Sequence, residues 1–233
     1  MKYYIFFVLL LTESLINSQT NKILVLYFSR AGENYSVGTV EKGNTERFVN
    51  SMKSKLPSST VYQKIEPVTK YPEGYDDTLP IAKKEQDEDL RPDISNPIDD
   101  VSEYNPIIIG YPIWYGKIPR IVINQIEKIN KEGFKDKNII LLCTHEGSGF
   151  SSTMNEIKEK ITNAKEIVKG KSLKGSEVDS KTSEIESFAE SILNDENNEI
   201  TEDSSNINNI KNNGFCLTMK FQLYFIISLF LLI

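Results

Sequence analysis

The sequence has few of the residues that hold metal ions or build disulfide frameworks. Its 233 residues include one histidine and two cysteines, Cys143 and Cys216. A zinc site needs about four clustered ligands, and His145-Glu146 lacks the second histidine of a His-Glu-x-x-His motif. We therefore expect no metal site and no disulfide framework. Because Cys143 lies within an apolar run, we expect it to be a buried, inert thiol.

Several nucleotide and hydrolase motifs are also absent. No Gly-x-x-x-x-Gly-Lys-Ser/Thr motif occurs, which excludes a P-loop NTPase, and the absence of Gly-x-Gly-x-x-Gly weighs against a conventional dinucleotide turn. Ser148 is not flanked as in Gly-x-Ser-x-Gly, which disfavours a serine hydrolase built on Ser148 and His145. The net charge of −6 argues against a nucleic-acid partner, because phosphates need a basic surface.

The N-terminal segment has the pattern of a signal peptide. Lys2 precedes an apolar run from Tyr3 to Leu11, and small or polar residues follow as far as Ser18. The alternative, a first core strand or helix, is disfavoured because residues 23–28 already form a complete strand pattern. We expect a signal peptide over residues 1–18 and entry into the secretory pathway.

The C-terminal segment is apolar and follows a polar tract. Residues 194–214 are rich in Asn, Glu, Asp and Ser, which predicts a disordered stalk. Residues 215–233 form a hydrophobic tail of marginal length for a membrane helix, and the same pattern describes a GPI-attachment signal with Ser204, Ser205 and Asn206 as candidate sites. A docked amphipathic helix is disfavoured because the tail is apolar on nearly every side. We expect a membrane-attached protein whose folded domain covers residues 19–193.

The middle of the chain alternates strand and helix patterns. Continuous apolar runs at Ile23–Phe28, Pro106–Gly110 and Asn138–Thr144 indicate strands buried on both faces. Weaker strands are expected at Val61–Val68 and Lys165–Val168, with helices between the strands. This order predicts an α/β fold with a doubly wound, five-stranded parallel sheet, whose ligand lies beyond the carboxyl ends of the strands.

The loop after the first strand is suited to hold a phosphate. Ser29 ends the strand, and Gly-Asn-Thr-Glu at 43–46 opens an amphipathic helix. Backbone amides and hydroxyls at a helix N-terminus favour an anion. The alternative is that Asn44 and Thr45 only cap the helix.

Two later loops carry groups suited to a flat heterocycle. Trp114 and Tyr115 follow the second buried strand and could stack on a ring, although Trp114 could instead anchor its loop in the core. Thr144, His145 and Glu146 begin a glycine-rich loop after the third strand and offer hydrogen bonds. The three loops are expected to converge at one edge of the sheet.

Taken in order, these segments resemble the flavodoxin family, specifically members with a split phosphate loop. The resemblance covers about Lys22 to Val178. It rests on Tyr-Phe-Ser-Arg-Ala-Gly-Glu-Asn-Tyr at 27–35, Gly-Asn-Thr-Glu at 43–46, Gly-Tyr-Pro-Ile-Trp-Tyr-Gly at 110–116 and Cys-Thr-His-Glu-Gly-Ser-Gly at 143–149. It implies a flavodoxin-like sheet of order 2-1-3-4-5 in a three-layer α/β/α domain.

The resemblance also implies a cofactor, FMN, and a set of residues that bind it. The phosphate would be held by Ser29, Arg30, Ala31, Asn44 and Thr45. The isoalloxazine ring would be flanked by Pro112, Ile113, Trp114, Tyr115 and Gly116 and bordered by Thr144, His145, Glu146, Gly147 and Gly149. About ten residues are inserted between Gly32 and Gly43, where the family's phosphate loop is contiguous.

The resemblance implies that the protein acts in electron transfer or as a small flavin-dependent oxidoreductase. Its partner would be an unidentified redox protein or a small-molecule electron acceptor. The alternative is a surface binding module on the same fold without redox turnover.

Overall fold

A computed structural model of the chain describes residues 22–194. The predicted signal peptide (1–18) and hydrophobic tail (215–233) lie outside these residues, as does all of the predicted stalk except its first residue. Among the residues described, no helix is both long and apolar enough to cross a membrane.

Apart from two short strands near the start of the domain, strands and helices alternate as the sequence predicts. The strands are β1 (Lys22–Tyr27), β2 (Gly32–Asn34), β3 (Gly38–Val40), β4 (Val61–Lys64), β5 (Tyr104–Pro112), β6 (Asn138–His145) and β7 (Glu166–Lys174). The helices are α1 (Asn44–Met52), α2 (Tyr75–Asp87), α3 (Arg120–Lys128), α4 (Thr153–Lys160) and α5 (residues 182–194). Short 3₁₀ helices cover Lys131–Phe134, Gly175–Glu177 and Asp179–Lys181.

Five of the strands form one parallel sheet in the order β4-β1-β5-β6-β7. Numbered along the chain within this sheet, the order is 2-1-3-4-5, which confirms the predicted topology. In register, Leu24 pairs with Ile107 and Ile107 pairs with Ile139, so the three most apolar strands lie side by side at the centre.

Helices cover both faces of the sheet, because alternate strand residues point to opposite sides. On one face, Leu24 and Ile109 belong to an apolar cluster with Ile121 of α3 and Ile157 of α4. On the other face, α1 packs against β5. A Cβ added to Gly110 of β5 would be in van der Waals contact with Val49 of α1, at 3.9 Å from its Cγ2 atom. These buried aliphatic side chains each contribute about 1.5–3 kcal/mol and hold the three layers together.

The weaker strands differ in length from their predictions. β4 ends at Lys64 rather than Val68, and all of its residues are half-buried because it pairs only with β1 at the sheet edge. β7 continues to Lys174 rather than Val168, because it keeps pairing with β6 as far as His145. Cys143 is a buried free thiol as predicted, and burial raises its pKa to about 12.

The insertion after the first strand forms an antiparallel hairpin, β2–β3, which no pattern in the sequence predicts. Gly32 pairs with Val40 and Asn34 with Gly38. The hairpin is held against the start of α2: Glu33 N donates to Glu73 O at 2.7 Å, and Tyr75 N donates to Glu33 Oε2 at 3.0 Å. The insertion is therefore an ordered element beside the predicted phosphate loop.

Candidate functional site

A cavity of about 190 Å³ opens at the carboxyl edge of the sheet, beyond the ends of β1, β5 and β6. Nine of the residues predicted for the site line it: Arg30, Asn44, Pro112, Ile113, Trp114, Tyr115, Thr144, His145 and Glu146. Six others that the sequence analysis did not assign also line it: Asn34, Tyr35, Tyr75, Thr78, Leu79 and Ala82. The remaining predicted residues, Ser29, Ala31, Thr45, Gly116, Gly147 and Gly149, lie outside this lining, beside it in the chain.

The first turn of α1 forms the anion-binding end of the cavity. Its earliest N–H groups, those of Asn44 and Thr45, have no acceptor within the helix and carry the positive end of the helix dipole. Ser29 Oγ accepts the hydrogen bond from Glu46 N at 3.0 Å and so caps the helix from the preceding loop. Ser29 therefore supports the start of α1 and is not among the residues that line the cavity.

Gly43 allows that loop and the helix to approach closely. A Cβ at this position would lie 2.2 Å from Arg30 O and 2.4 Å from Ser29 Oγ. Next to it, the buried hydroxyls of Thr45 and Thr144 are 2.8 Å apart. These contacts fix the start of α1 against the ends of β1 and β6.

The side chain of Asn44 is held in one orientation by two neighbours. Arg47 donates through Nη2 to Asn44 Oδ1 at 2.7 Å. A Cβ on Gly175 would lie 1.9 Å from Asn44 Nδ2, so only glycine leaves room for the amide there. Asn44 is therefore prearranged at the base of the anion-binding end.

Arg30 forms a clamp across the cavity wall. Its Nη1 donates to Pro72 O at 2.8 Å and to Glu73 O at 3.0 Å, and its Nη2 donates to Glu33 O. Burial lowers the pKa of its guanidinium. These contacts support a positioning role, in which Arg30 ties the hairpin to the start of α2; the phosphate contact expected for Arg30 stays a prediction.

The second loop is a tight turn. Trp114 and Lys117 exchange two backbone hydrogen bonds of 3.0 Å, and both central residues have positive φ, +51° at Tyr115 and +74° at Gly116. These values define the primed turn that fits a two-residue hairpin loop. The turn places Tyr115 at the mouth of the cavity, where its hydroxyl donates to Leu79 O at 3.2 Å.

Trp114 anchors its loop in the core and also lines the cavity, while its stacking on a ligand ring stays a prediction. Its ring meets Phe28 and Tyr71 edge to face, at centroid distances of 5.4 Å and 5.1 Å, which anchors the loop in the core. It also lines the cavity. The rings of Phe28, Tyr71 and Trp114 thus pack together and fix the position of the loop.

The third loop is braced by hydrogen bonds on both sides. His145 Nδ1 accepts from Gly147 N at 2.8 Å, and burial lowers the histidine pKa, so the ring is neutral near pH 7. The Glu146 carboxylate accepts from Ser176 N at 3.0 Å and from Ser176 Oγ at 2.9 Å. The Glu146 side chain, which lines the cavity, is therefore held in one orientation by the 3₁₀ helix that contains Ser176.

A helix N-terminus suited to an anion, next to a cavity lined by aromatic side chains at the strand ends, is typical of the α/β proteins that bind a mononucleotide cofactor. The residues present fit such a group, because α1 offers unpaired amides and the cavity walls come from the three loops. The chain belongs to the flavodoxin family, whose sequence profile matches residues 22–190. Membership supports FMN, the cofactor predicted from the sequence.

Solved structures show the same fold. A candidate flavoprotein from Bacteroides uniformis is 24% identical with a TM-score of 0.55, covering 71% of this chain and 97% of its own. A candidate flavoprotein from Bacteroides eggerthii is 22% identical with a TM-score of 0.52, covering 70% and 97%. A Lactobacillus acidophilus flavoprotein, solved in complex with FMN, is 18% identical with a TM-score of 0.50, covering 69% and 97%. A comparison with curated proteins gave no significant match.

Proposed function

We propose that this protein uses bound FMN to transfer electrons, either as an electron carrier or as a small flavin-dependent oxidoreductase. The observation that carries the proposal is the cavity itself, which joins the amide-rich start of α1 to the loops after β5 and β6. Its partner would be a redox protein or a small-molecule electron acceptor.

Each end of the cavity suits one part of FMN. The N–H groups of Asn44 and Thr45 would hold the phosphate, and the segments Pro112–Tyr115 and Thr144–Glu146 would flank the ring. The Lactobacillus acidophilus protein, which shares this fold, binds FMN. When bound, FMN supplies reversible uptake of one or two electrons, and the protein supplies binding, orientation and electrostatics.

The cavity's charge has a direct consequence for those electrostatics. The Glu146 carboxylate belongs to the segment assigned to the ring, whereas the Arg30 guanidinium, which also lines the cavity, is held at the wall by the carbonyls of Pro72 and Glu73. A negative charge and aromatic walls disfavour a ring that becomes more negative on reduction. We therefore expect the protein to lower the reduction potential of FMN relative to free FMN.

The visible spectrum of the protein tests the proposal. We expect the purified protein, or the protein after addition of FMN, to show flavin absorbance that is retained through gel filtration. Anaerobic titration with dithionite should bleach that absorbance reversibly. A colourless protein that does not retain added FMN would contradict the proposal.

We also propose that the protein reaches the secretory pathway and is attached to a membrane. The proposal rests on the sequence patterns of residues 1–18 and 215–233. The full chain should sediment with membranes, whereas a chain ending at residue 194 should be released. Cleavage by a phosphatidylinositol-specific phospholipase would distinguish a GPI anchor from a retained helix, and a full chain found free of membranes would contradict attachment.

A further inference from the structure

The connection between β7 and α5 contacts residues at both ends of the flavin site from outside the cavity. It covers residues 175–179 and begins directly after the last residue of β7. We call it the 175–179 segment. Its residues, all within the described part of the chain, are not among those that line the cavity. Val178 is fully buried and fixes the segment against the domain. The segment therefore has a defined position next to the site without forming its wall.

At the phosphate end, the 175–179 segment contacts Asn44 both directly and through Arg47. The Asn44 amide lies so close to Gly175 that a Cβ there would overlap it. Arg47, one turn further along α1, donates through Nη2 to Asn44 Oδ1 at 2.7 Å and to Gly175 O at 3.2 Å. Its Nη1 donates to the Asp179 carboxylate. One guanidinium thus joins a residue that lines the cavity to two positions of the segment.

Local stability does not account for this placement of Arg47. Its side chain is 18% exposed, and its Nε is buried without a hydrogen-bond partner among the described residues. A buried, unpaired N–H of a charged group costs stability. Asp179 is 75% exposed, so its ion pair with Arg47 contributes little. The planar guanidinium does, however, present several donors in a fixed geometry, which suits it to orient a neighbouring amide.

At the ring end, the same segment holds Glu146. Ser176 N donates to Glu146 Oε1 at 3.0 Å, and Ser176 Oγ donates to Glu146 Oε2 at 2.9 Å. One residue thus binds both oxygens of the carboxylate and restricts the rotation of its side chain. Because Gly175 and Ser176 are adjacent, a single peptide unit joins the contact with Asn44 to the contact with Glu146.

We propose that the 175–179 segment is a positioning element that holds the two ends of the flavin site in a fixed relation. At the phosphate end it acts through Asn44, with Arg47 as the link, and at the ring end it acts through Glu146. The proposal rests on the proposed function, because these are the two ends of the FMN cavity. The segment and Arg47 are positioning residues, which act without contacting the flavin.

Arg47→Met and Gly175→Ala test the phosphate end. Arg47→Met removes the link, whereas Gly175→Ala displaces the Asn44 amide and leaves every charge in place. Each should weaken the binding of FMN about tenfold, and that of riboflavin, which lacks the phosphate, by less than about threefold. Only folded protein binds either flavin, so a general loss of folding would weaken both equally. Titration of the full-length apoprotein with each flavin measures the ratio.

Two further variants separate positioning from simple attraction between Arg47 and the phosphate. Arg47→Lys keeps the charge but loses the planar fork, so it should weaken FMN nearly as much as Arg47→Met. Asp179→Asn removes a negative charge and should still weaken FMN, by about threefold, because Arg47 loses its anchor. If Arg47 acts only through its charge, Arg47→Lys will bind FMN like the wild type and Asp179→Asn will bind it more tightly, which would overturn the positioning role.

The reduction potential of the FMN-loaded protein tests the ring end. Ser176→Ala removes the Oγ donor, so the Glu146 carboxylate can turn toward solvent, and the potential should rise toward that of free FMN. In a Glu146→Gln background the same substitution should cause no further rise, because the charge that Ser176 orients is gone. Ser180→Ala is the matched control, since Ser180 Oγ donates to Glu177 O, and it should leave the potential unchanged.

Amide hydrogen exchange of the wild-type protein provides a readout that needs no variant. FMN should slow exchange over residues 175–179 more than riboflavin does, because a bound phosphate fixes Asn44 and, through it, the segment. Equal exchange with the two flavins would contradict the link between the phosphate end and the segment.

Either of two results would overturn the proposal while the proposed function stands. One is an unchanged ratio of FMN to riboflavin affinity in both Arg47→Met and Gly175→Ala. The other is an unchanged reduction potential in Ser176→Ala. Wild-type protein that fails to bind FMN would instead overturn the proposed function and, with it, the positioning role of the 175–179 segment.

Discussion

Gly43→Ala is expected to lower the affinity for FMN by about a hundredfold or more. The added Cβ would lie within 2.4 Å of Arg30 O and Ser29 Oγ, so the loop and the start of α1 must separate. The amides of Asn44 and Thr45 would then no longer converge on one phosphate. Two hydrogen bonds to a charged group contribute roughly 1.5–3 kcal/mol each, and 1.4 kcal/mol is tenfold in affinity. Quenching of flavin fluorescence during titration with FMN measures the effect.

Gly133→Ala is the matched control for this prediction. Gly133 lies in a 3₁₀ helix outside the cavity lining, and its added Cβ would be 3.1 Å from the side chains of Ile129 and Val101. That substitution should cost some stability without changing FMN affinity. If Gly43→Ala binds FMN as tightly as the wild type, the start of α1 is not the phosphate site. Urea unfolding of both variants separates lost binding from lost folding.

The central strands could be predicted from the sequence because their burial leaves a simple signal. Residues on both faces of β1, β5 and β6 are buried, so each strand is a continuous apolar run, and a helix pattern follows each one. Since parallel strands end at the same edge, the loops after them had to converge. Convergence of the strand ends is enough to predict that Asn44, Trp114 and His145 line one cavity, as they do.

The hairpin and the part of the cavity wall that α2 forms could not be predicted in the same way. β2 and β3 have three residues each, of which only Gly32 is buried, so they carry no run of buried apolar residues. Positive φ values at Gly32, Ser36 and Gly38 mark the geometry of the hairpin. Tyr75 begins a helix rich in charged residues, a pattern typical of a solvent-facing helix, whereas Thr78 and Ala82 are buried and line the cavity. Such contacts depend on which distant segments meet in space, and local patterns of apolar and polar residues do not reveal that.

The assignment of Arg30 illustrates the difference between a residue's place in a motif and its contacts. By resemblance, Arg30 belongs among the phosphate ligands, because it lies in the phosphate loop. In the structure its guanidinium donates to the carbonyls of Glu33, Pro72 and Glu73, which belong to the hairpin and the segment before α2. If Arg30 contacts the phosphate, its loss should affect only ligands that carry a phosphate. If it holds the cavity wall, its loss should affect ligands with and without a phosphate equally.

Arg30→Met is expected to weaken FMN and riboflavin binding by the same factor, about tenfold to a hundredfold. The substitution removes three hydrogen bonds from a charged donor and releases the wall formed by the hairpin and the start of α2, which both ligands need. Amide hydrogen exchange over residues 32–40 should become faster, since the hairpin loses its clamp. Titration of the apoprotein with each flavin gives the two affinities.

Riboflavin has the ring and ribityl chain of FMN but no phosphate, so the ratio of the two affinities isolates the phosphate's contribution. If Arg30 contacts the phosphate, Arg30→Met will weaken FMN alone and bring its affinity toward that of riboflavin. If it is a clamp, the ratio will not change while both affinities fall. Arg91→Met is the control, because Arg91 pairs with Asp89 and Glu127 outside the cavity lining, and its loss should leave both affinities unchanged. An unchanged ratio with faster exchange in the hairpin therefore assigns Arg30 to the wall and leaves the phosphate to the amides of α1.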